Sequence, residues 1–221
     1  MVAKRGTFIV LDGGEGSGKD TQIARMRELL KDVPDIVYTR EPGGTEIGQA
    51  LRQILLSSAH ERMTVETELF LFCAARAQLM KEVVIPALKD GKTVISNRFD
   101  AGTAAYQIYG RQRMPLWLVF RTINTLAITD HDTGKEFRPD RYILLDVDPR
   151  VGLLRKQNTP EEITRFERAP LDFHERVRAG FRTYLLREYR NSHVVVDANR
   201  TAEEVWSDVK RYVMEALGTV A

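Results

Sequence analysis

The sequence predicts a doubly wound α/β fold, with about five parallel strands and helices on both faces of the sheet. Three observations support this prediction. Short segments rich in β-branched residues alternate with longer segments in which apolar residues recur every three to four positions. The short segments are nearly unbroken apolar runs, as expected for strands buried on both faces of a parallel sheet. A glycine-rich loop joins the first strand segment to the first helical segment.

Five short segments have the composition of buried strands, and they lie at 7–12, 36–39, 93–96, 142–147 and 193–197. Helical periodicity fills the intervals, most clearly at 23–30, 47–55, 65–88, 115–128, 172–189 and 201–217. Pro86 is expected to kink or end the helix that contains it. Two polar stretches, 129–140 and 155–168, are predicted loops, and the second is a candidate lid. With no repeat or linker in the sequence, residues 1–221 are expected to form a single domain.

Composition and charge are those of an ordinary globular protein. The chain has 221 residues, of which 43% are hydrophobic and 29% are charged, and its formal net charge is +2. This balance gives little support for nucleic-acid binding, and no apolar run approaches the length of a membrane span. The apolar run before Asp12 is too short for a signal peptide. The single cysteine, Cys73, fits a reducing compartment, so we expect a cytoplasmic protein that binds neither membranes nor nucleic acid.

The glycine-rich loop matches the phosphate-binding pattern G-x-x-x-x-G-K from Gly13 through Lys19, which narrows the prediction to a P-loop NTPase fold. Such glycines let successive backbone N–H groups point at phosphate oxygens, and the lysine reaches the β- and γ-phosphates. The pattern continues with a serine or threonine that ligates magnesium, but this chain has Asp20 there. The predicted ATP-binding residues are Gly13, Gly14, Glu15, Gly16, Ser17, Gly18, Lys19, Asp20 and Thr21.

Two arginines directly follow predicted strands. Arg40 comes after the second strand, and Arg98 comes after the third. Ligands of open α/β sheets bind beyond the carboxyl ends of the strands, so these two guanidinium groups suit a dianionic monophosphate. Surface salt bridges are the alternative for both residues.

Phe72 and Arg76 lie four residues apart and therefore on one face of a predicted helix. An aromatic ring beside a group of N–H donors suits a pyrimidine that carries a carbonyl oxygen. Packing in the core is the alternative for Phe72, because periodicity does not separate the two roles.

Five further segments carry a family resemblance: TREPGGTEIGQALR (39–52), FLFCAARAQ (70–78), SNRFDAGTAAYQ (96–107), RPDRYILLDVDP (138–149) and TRFERAPLDFHERVR (164–178). Their order and content resemble the bacterial branch of the thymidylate kinase family over nearly the whole chain. The resemblance implies transfer of the γ-phosphoryl group of ATP to dTMP, which gives dTDP for dTTP biosynthesis. It also implies a requirement for Mg²⁺ and a homodimer packed through helices that include 115–128. Core packing is the alternative for that segment.

The resemblance also assigns roles to individual residues. It places Arg40 and Arg98 at the acceptor phosphate and Glu15 near the sugar and its 3′-hydroxyl. An acid stabilised by the helix dipole is the alternative for Glu15. It implies that Gln107 bonds the thymine ring and that Tyr106 forms part of the pocket wall. The implied dTMP-binding residues are Glu15, Arg40, Phe72, Arg76, Arg98, Tyr106 and Gln107, and the implied catalytic residues are Lys19, Arg98 and Arg165.

The candidate lid supplies positive charge. Part of the family has its catalytic arginine in the phosphate loop, but that position is Gly16 here, so the resemblance implies a lid arginine at Arg165. Arg155 and Lys156 add further lid charge, and side chains that simply face solvent are the alternative for both.

Three positions depart from the family pattern. Asn97 stands where the family has an aspartate that serves the metal region, Phe99 replaces a tyrosine, and Asp20 adds a carboxylate to the phosphate loop. One hypothesis is that Asp20 binds Mg²⁺ directly or through water, while Asn97 avoids excess negative charge. The other is that Asp20 accepts N–H groups of the first helical turn and discourages phosphate binding. The functional alternatives are another nucleoside or deoxynucleoside monophosphate kinase, or a nucleotide-binding homologue with impaired catalysis.

Overall fold

The computed structural model describes residues 5–157 and 164–218, and its strands are β1 (Phe8–Gly13), β2 (Ile36–Arg40), β3 (Thr93–Asn97), β4 (Thr129–Asp130), β5 (Lys135–Glu136), β6 (Arg141–Asp146) and β7 (His193–Asp197). Five of them form one parallel sheet in the order β2-β3-β1-β6-β7. The predicted doubly wound fold with five parallel strands is therefore confirmed. Residues 158–163 of the predicted lid lie outside the described residues.

Helices connect the strands and cover both faces of the sheet. They are α1 (Lys19–Leu29), α2 (Glu46–Leu56), α3 (Val65–Leu79), α4 (Ile85–Lys89), α5 (Asp100–Thr103), α6 (Trp117–Ile128), α7 (Pro149–Gln157), α8 (Leu171–Glu188) and α9 (Ala202–Leu217). Wider π-helical turns at Met80–Val84 and Ala104–Gly110 continue α3 and α5. Pro86 is the second residue of α4, which directly follows the π-helical turn Met80–Val84. The regular α-helix predicted over 65–88 therefore ends at Leu79, and helical structure continues to Lys89 through a wider turn just before the proline.

Both stretches predicted as loops contain regular structure, and residues 155–157 of the second belong to α7. Within 129–140, β4 and β5 form a short antiparallel pair. Gly134 occupies the turn with φ 67°, a left-handed conformation that glycine adopts without steric cost. The polar composition of the segment concealed this hairpin, because both its strands are only two residues long.

The side chains of the central strand alternate between two hydrophobic cores. Phe8 and Val10 point into a core formed with α3, α6 and α8. Ile9 and Leu11 point into a second core against α1 and α9. All four side chains are fully buried, which is the arrangement that an unbroken apolar strand predicts. Among the described residues, no helix combines the length and apolar character needed to cross a bilayer.

The sheet brings candidate site residues from the carboxyl ends of three strands to one edge. The carboxyl end of β1 leads into the glycine-rich loop, while Arg40 ends β2 and Asn97 ends β3. Because β2, β3 and β1 are adjacent and parallel, these ends lie side by side.

Candidate active site

The glycine-rich loop has the backbone conformation that its sequence predicts. Gly16 and Gly18 have φ values of 64° and 87°, which larger residues rarely adopt. The Lys19 ammonium group donates to the carbonyl oxygens of Gly13 (3.0 Å) and Gly14 (2.8 Å). Burial and the nearby positive charge of Arg98 lower the pKa of Lys19 to about 8. The loop therefore holds a desolvated cation at the N-terminus of α1.

The two unusual residues of the motif contact each other. The Asn97 side-chain amide donates to Asp20 Oδ1 at 2.8 Å, although the residues are 77 positions apart. Among the described residues, no backbone N–H donates to the Asp20 carboxylate. Asp20 is exposed and lines the same cavity as Lys19. The geometry matches a paired change at two positions and gives no support to helix capping by Asp20.

Arg98 is aimed at the phosphate loop by an unusual backbone conformation, with φ 73°. Its guanidinium group donates to Asp12 Oδ1 (3.2 Å) and to the Gly13 carbonyl (2.9 Å), and lies 3.5 Å from Glu15. Glu15 also accepts a 2.7 Å hydrogen bond from the Tyr106 hydroxyl. Burial alone would raise the pKa of Glu15, but Arg98 and Lys19 outweigh it and hold the pKa below its usual value. The anionic Glu15 fixes Arg98 and Tyr106 beside the loop.

Arg76 lines the same cavity and is fully buried. Its Nε donates to Glu41 (2.9 Å), and its two terminal nitrogens donate to Asn124 (3.1 Å) and Thr103 (2.8 Å). Arg76 Nη2 also lies 2.8 Å from Glu41 Oε2, so these contacts engage up to four of the five N–H donors and leave one, on Nη1, for a ligand. Arg76 is therefore a rigid donor and not a surface charge.

A second buried carboxylate lies on the same helix face as Phe72 and Arg76. Glu68 accepts from Gln107 Nε2 (3.1 Å), from Arg111 (3.0 Å) and from Arg165. The other amide atom of the glutamine, Oε1, is buried and has no hydrogen-bond partner among the described residues. Glu68 thereby ties three separate segments of the chain together behind Gln107, which lines the cavity.

The site contains a cavity of about 680 Å³. Its lining includes the phosphate loop, the aromatic and polar side chains Phe72, Arg76 and Gln107, and the cations Arg40 and Arg52. Burial and the positive charges of Arg40 and Arg98 lower the pKa of Arg52 to about 10, as expected where several cations meet. The cavity therefore combines several cations that attract anions with an aromatic side chain and fixed polar groups. The predicted residues that line it are Glu15, Gly16, Ser17, Gly18, Lys19, Asp20, Thr21, Arg40, Phe72, Arg76, Arg98, Tyr106 and Gln107.

The lid helix α7 packs directly on the phosphate loop. A Cβ atom placed on Gly152 would lie 2.2 Å from the Glu15 carbonyl oxygen, so the two backbones are in contact. One turn later, Arg155 donates to the carbonyl of Ala198 (2.8 Å) and approaches that of Gly16 (3.4 Å). Arg155 thus lies beside the loop, which differs from the solvent-facing alternative.

Arg165 is placed elsewhere. It does not belong to the residues that line the cavity, and its guanidinium group donates to Glu68 and to the Leu55 carbonyl (2.6 Å). Its side chain is only 6% exposed. The predicted catalytic role would require Arg165 to leave Glu68, so it stays a prediction. In the described arrangement Arg155 approaches the phosphate loop to 3.4 Å, at the Gly16 carbonyl.

Sequence reasoning singled out neither the buried acids nor one of the cations. Asp12, Glu41 and Glu68 hold Arg98, Arg76 and Gln107 in place. Arg52 adds charge to the cavity. Two signals pointed to them: Asp12 ends an apolar strand, and Glu68 lies four residues before Phe72 on one helix face. Their arginine and glutamine partners are too distant in sequence to be inferred.

Comparisons with known proteins agree on one family. The family model described as thymidylate kinase matches residues 11–209. A thymidylate kinase of Maridesulfovibrio salexigens is 40% identical over 217 residues, covering 95% of this chain and 96% of the relative. One from Symbiobacterium thermophilum is 42% identical over 213 residues, covering 95% and 94%. The crystal structure of thymidylate kinase from Ehrlichia chaffeensis superposes with a TM-score of 0.71 at 27% identity, covering 95% of this chain and 99% of that one.

Proposed function

The chain belongs to the thymidylate kinase family, and we propose that its cavity carries out the transfer of the γ-phosphoryl group of ATP to dTMP, giving dTDP for dTTP biosynthesis. The observation that carries the residue-level proposal is that one cavity is lined both by the phosphate loop and by the buried side chains Arg76 and Gln107 beside Phe72. A chain that had lost its reaction would have no reason to keep both sets of residues around one cavity.

The acceptor phosphate is assigned to the arginines that line the cavity. Arg40 and Arg98 suit a dianion through charge-assisted hydrogen bonds, and Arg52 adds to the field. The acceptor needs no general base, because the second pKa of a phosphate monoester is about 6 and the group is largely dianionic at neutral pH. Catalysis then consists of positioning and charge neutralisation.

The donor triphosphate is assigned to the loop from Gly13 to Thr21. Its backbone N–H groups and the Lys19 ammonium group would hold the β- and γ-phosphates. Arg155 supplies lid charge where it stands, and Arg165 is a second candidate once it is released from Glu68. Both lie on the segment expected to exclude water from the reaction.

The residues present fit magnesium that arrives on the nucleotide. The described residues hold no cluster of three or more potential metal ligands. Mg²⁺ in kinases needs none, because phosphates and waters fill most of its six positions and one or two carboxylates suffice. Asp20 offers one such carboxylate, oriented by Asn97 at 2.8 Å. When bound, the ion would neutralise phosphate charge during transfer.

We propose Asp20 as the magnesium ligand of this chain, with Asn97 keeping the local charge unchanged. Without the ion, a carboxylate about 4 Å from a phosphate is repelled by about 4 kcal/mol at an effective dielectric near 20. Asp20→Ala should therefore tighten ATP binding without magnesium and weaken it with magnesium. Equal shifts under both conditions, measured by calorimetry, would refute the assignment.

The part of the cavity lined by Phe72, Arg76 and Gln107 is assigned to the base. Phe72 stacks on the ring, Arg76 donates to a carbonyl oxygen and Gln107 bonds the remaining polar edge. Room for the 5-methyl group separates thymine from uracil by only about 1–3 kcal/mol. We therefore expect dUMP to be a weaker acceptor and not an excluded one.

A homodimer and a cytoplasmic location belong to the same proposal. One side of α6 is buried, which fits core packing, but Leu118 and Leu126 on the other side are 70% and 59% exposed. Exposed apolar surface of this kind is typical of an interface. A free, buried Cys73 is compatible with a reducing cytoplasm. Sedimentation should show a particle of twice 25.2 kDa, which Leu118→Glu should dissociate.

A panel of monophosphates tests the function. ADP formation would be followed with ATP, Mg²⁺ and dTMP, dUMP, dCMP, dAMP or dGMP, and dTMP should give the highest kcat/KM. A higher kcat/KM for another acceptor favours the alternative of another nucleoside or deoxynucleoside monophosphate kinase. Binding of ATP and dTMP without turnover favours a homologue with impaired catalysis.

A further inference from the structure

We infer that Glu68 is a positioning residue that fixes the amide of Gln107 with its oxygen toward the base, so that the pocket selects bases with an N–H at that edge. The inference rests on the proposed function, because it concerns how the assigned base end reads its ligand. Glu68 itself reaches the base only through Gln107.

The orientation of the amide follows from the charge around Glu68. Arg111 Nη2 and Arg165 Nη1 both donate to Glu68 Oε1, and Gln107 contacts the other oxygen, Oε2, at 3.1 Å. A carboxylate flanked by two guanidinium groups accepts hydrogen bonds and has no hydrogen to donate. Gln107 must therefore present its NH₂ group to Glu68 whichever way its amide is assigned.

The opposite atom of the amide is left without a protein partner. Gln107 is fully buried and lines the cavity, and its Oε1 is an acceptor without a hydrogen-bond partner among the described residues. Buried polar atoms are nearly always paired, so an unpaired acceptor at a ligand pocket indicates where a ligand donor belongs.

The fixed acceptor lies in the same cavity as a fixed donor. Arg76 is held by Glu41, Asn124 and Thr103 and offers only hydrogens. A donor and an acceptor together complement a base edge with a carbonyl oxygen beside an N–H, as in thymine and uracil. Cytosine presents the reverse pattern, an amino group beside an unprotonated ring nitrogen, and leaves both protein groups mispaired.

The lid takes part in this arrangement. Arg165 lies on the segment that follows residues 158–163, and its contact with Glu68 spans 97 positions of sequence. The same carboxylate therefore holds the base-reading amide and a lid side chain. Orientation of Gln107 is strongest while Arg165 and Arg111 both remain on Glu68.

Calorimetric binding of dTMP, dUMP and dCMP without ATP tests the inference on wild type and Glu68→Gln. The variant amide keeps one acceptor oxygen, for which Gln107 competes with two guanidinium groups, so Gln107 is free to turn. The ratio of dCMP to dTMP dissociation constants should fall on the order of tenfold. The ratio of dUMP to dTMP dissociation constants should stay within about twofold, because both bases carry the same edge.

Gln107→Met provides a second route that does not depend on how Glu68→Gln folds. It should lower the dCMP to dTMP ratio by itself, and adding Glu68→Gln should lower it no further, because both changes act through one amide. Asp130→Asn is the matched control. It neutralises another buried carboxylate, paired with Lys89 at 2.6 Å outside the cavity, and should leave both ratios unchanged.

Each outcome separates the claims. An unchanged dCMP to dTMP ratio in Glu68→Gln overturns the inference, and so does an equal fall of both ratios, which would mean a loosened pocket. Additive effects in the double variant would also overturn it. If wild type binds dTMP but does not phosphorylate it, the proposed reaction fails while the ratios still decide the role of Glu68. If wild type does not bind dTMP, both fail.

Discussion

Gly152→Ala should impair catalysis strongly in a protein that still folds. The contact between α7 and the phosphate loop has no room for a side chain, because the added Cβ atom would lie 2.2 Å from the Glu15 carbonyl oxygen. Alanine is otherwise the better helix former, by about 1 kcal/mol in a helix interior. Any loss of activity or stability therefore comes from the crowded contact with the phosphate loop and not from helix propensity.

The magnitude follows from the displacement that the methyl group requires. Ordinary contacts begin at 3.4 Å, so the gap must widen by 3.4 − 2.2, or about 1.2 Å. The neighbour is backbone, which does not rotate away. A misplacement of about 1 Å at reacting groups costs on the order of 100-fold in rate, or about 2.7 kcal/mol. Overpacking of this kind lowers the free energy of unfolding by about 1–3 kcal/mol.

Steady-state assays and thermal unfolding would measure the two effects separately. We expect kcat/KM for dTMP to fall about 100-fold while the variant still unfolds cooperatively. Gly134→Ala is the control for activity, because its added methyl group has no atom within 4 Å and Gly134 does not line the cavity. Its φ of 67° strains alanine, so this variant should lose stability but keep kcat/KM unchanged. If Gly152→Ala kept kcat/KM within threefold of wild type, the direct contact between lid helix and loop would be refuted.

Three further predictions follow from the same geometry. The pKa of Lys19 is lowered to about 8, so its ammonium charge is lost above pH 8. ATP affinity at saturating Mg²⁺ should therefore fall from pH 8 to 10, with proton uptake on binding, and a flat pH profile of affinity would contradict this. Arg76→Met leaves buried Glu41 without its cation and should lower the free energy of unfolding in urea by about 3–5 kcal/mol. Adding Glu41→Gln should recover part of that free energy, and no recovery would contradict the Arg76–Glu41 ion pair. Arg155→Ala removes the donor to the Ala198 and Gly16 carbonyls and should raise the KM for ATP about tenfold with little change in that for dTMP. Equal changes in both KM values would contradict that placement.

The fold was largely predictable because its signals are local. Strands buried on both faces need unbroken apolar runs, and the five predicted segments match the observed strands to within one residue at each end. The phosphate loop needs glycine at fixed spacing, which the sequence displays directly. The short hairpin at β4 and β5 was missed because a two-residue strand leaves no periodicity to detect.

The site was only partly predictable because its geometry depends on distant pairs. Phe72 and Arg76 could be placed on one helix face from spacing alone. That Arg76 pairs with Glu41, 35 positions away, depends on how β2 and α3 meet. Arg165 shows the limit most clearly, because a lid arginine expected near the phosphates lies against Glu68. Local sequence does not show which acid Arg165 contacts, because that depends on tertiary packing.

The most direct test of the account is the rate of dTDP formation from ATP and dTMP with Mg²⁺, compared among wild type, Asp20→Ser, Asn97→Asp and the double variant. The account predicts that wild type turns over, that each single change impairs it and that the double change restores it, because the contacting pair at 2.8 Å acts as one unit. A silent wild type revived by the double change would contradict the account. The fold would then have kept its cavity after losing its reaction.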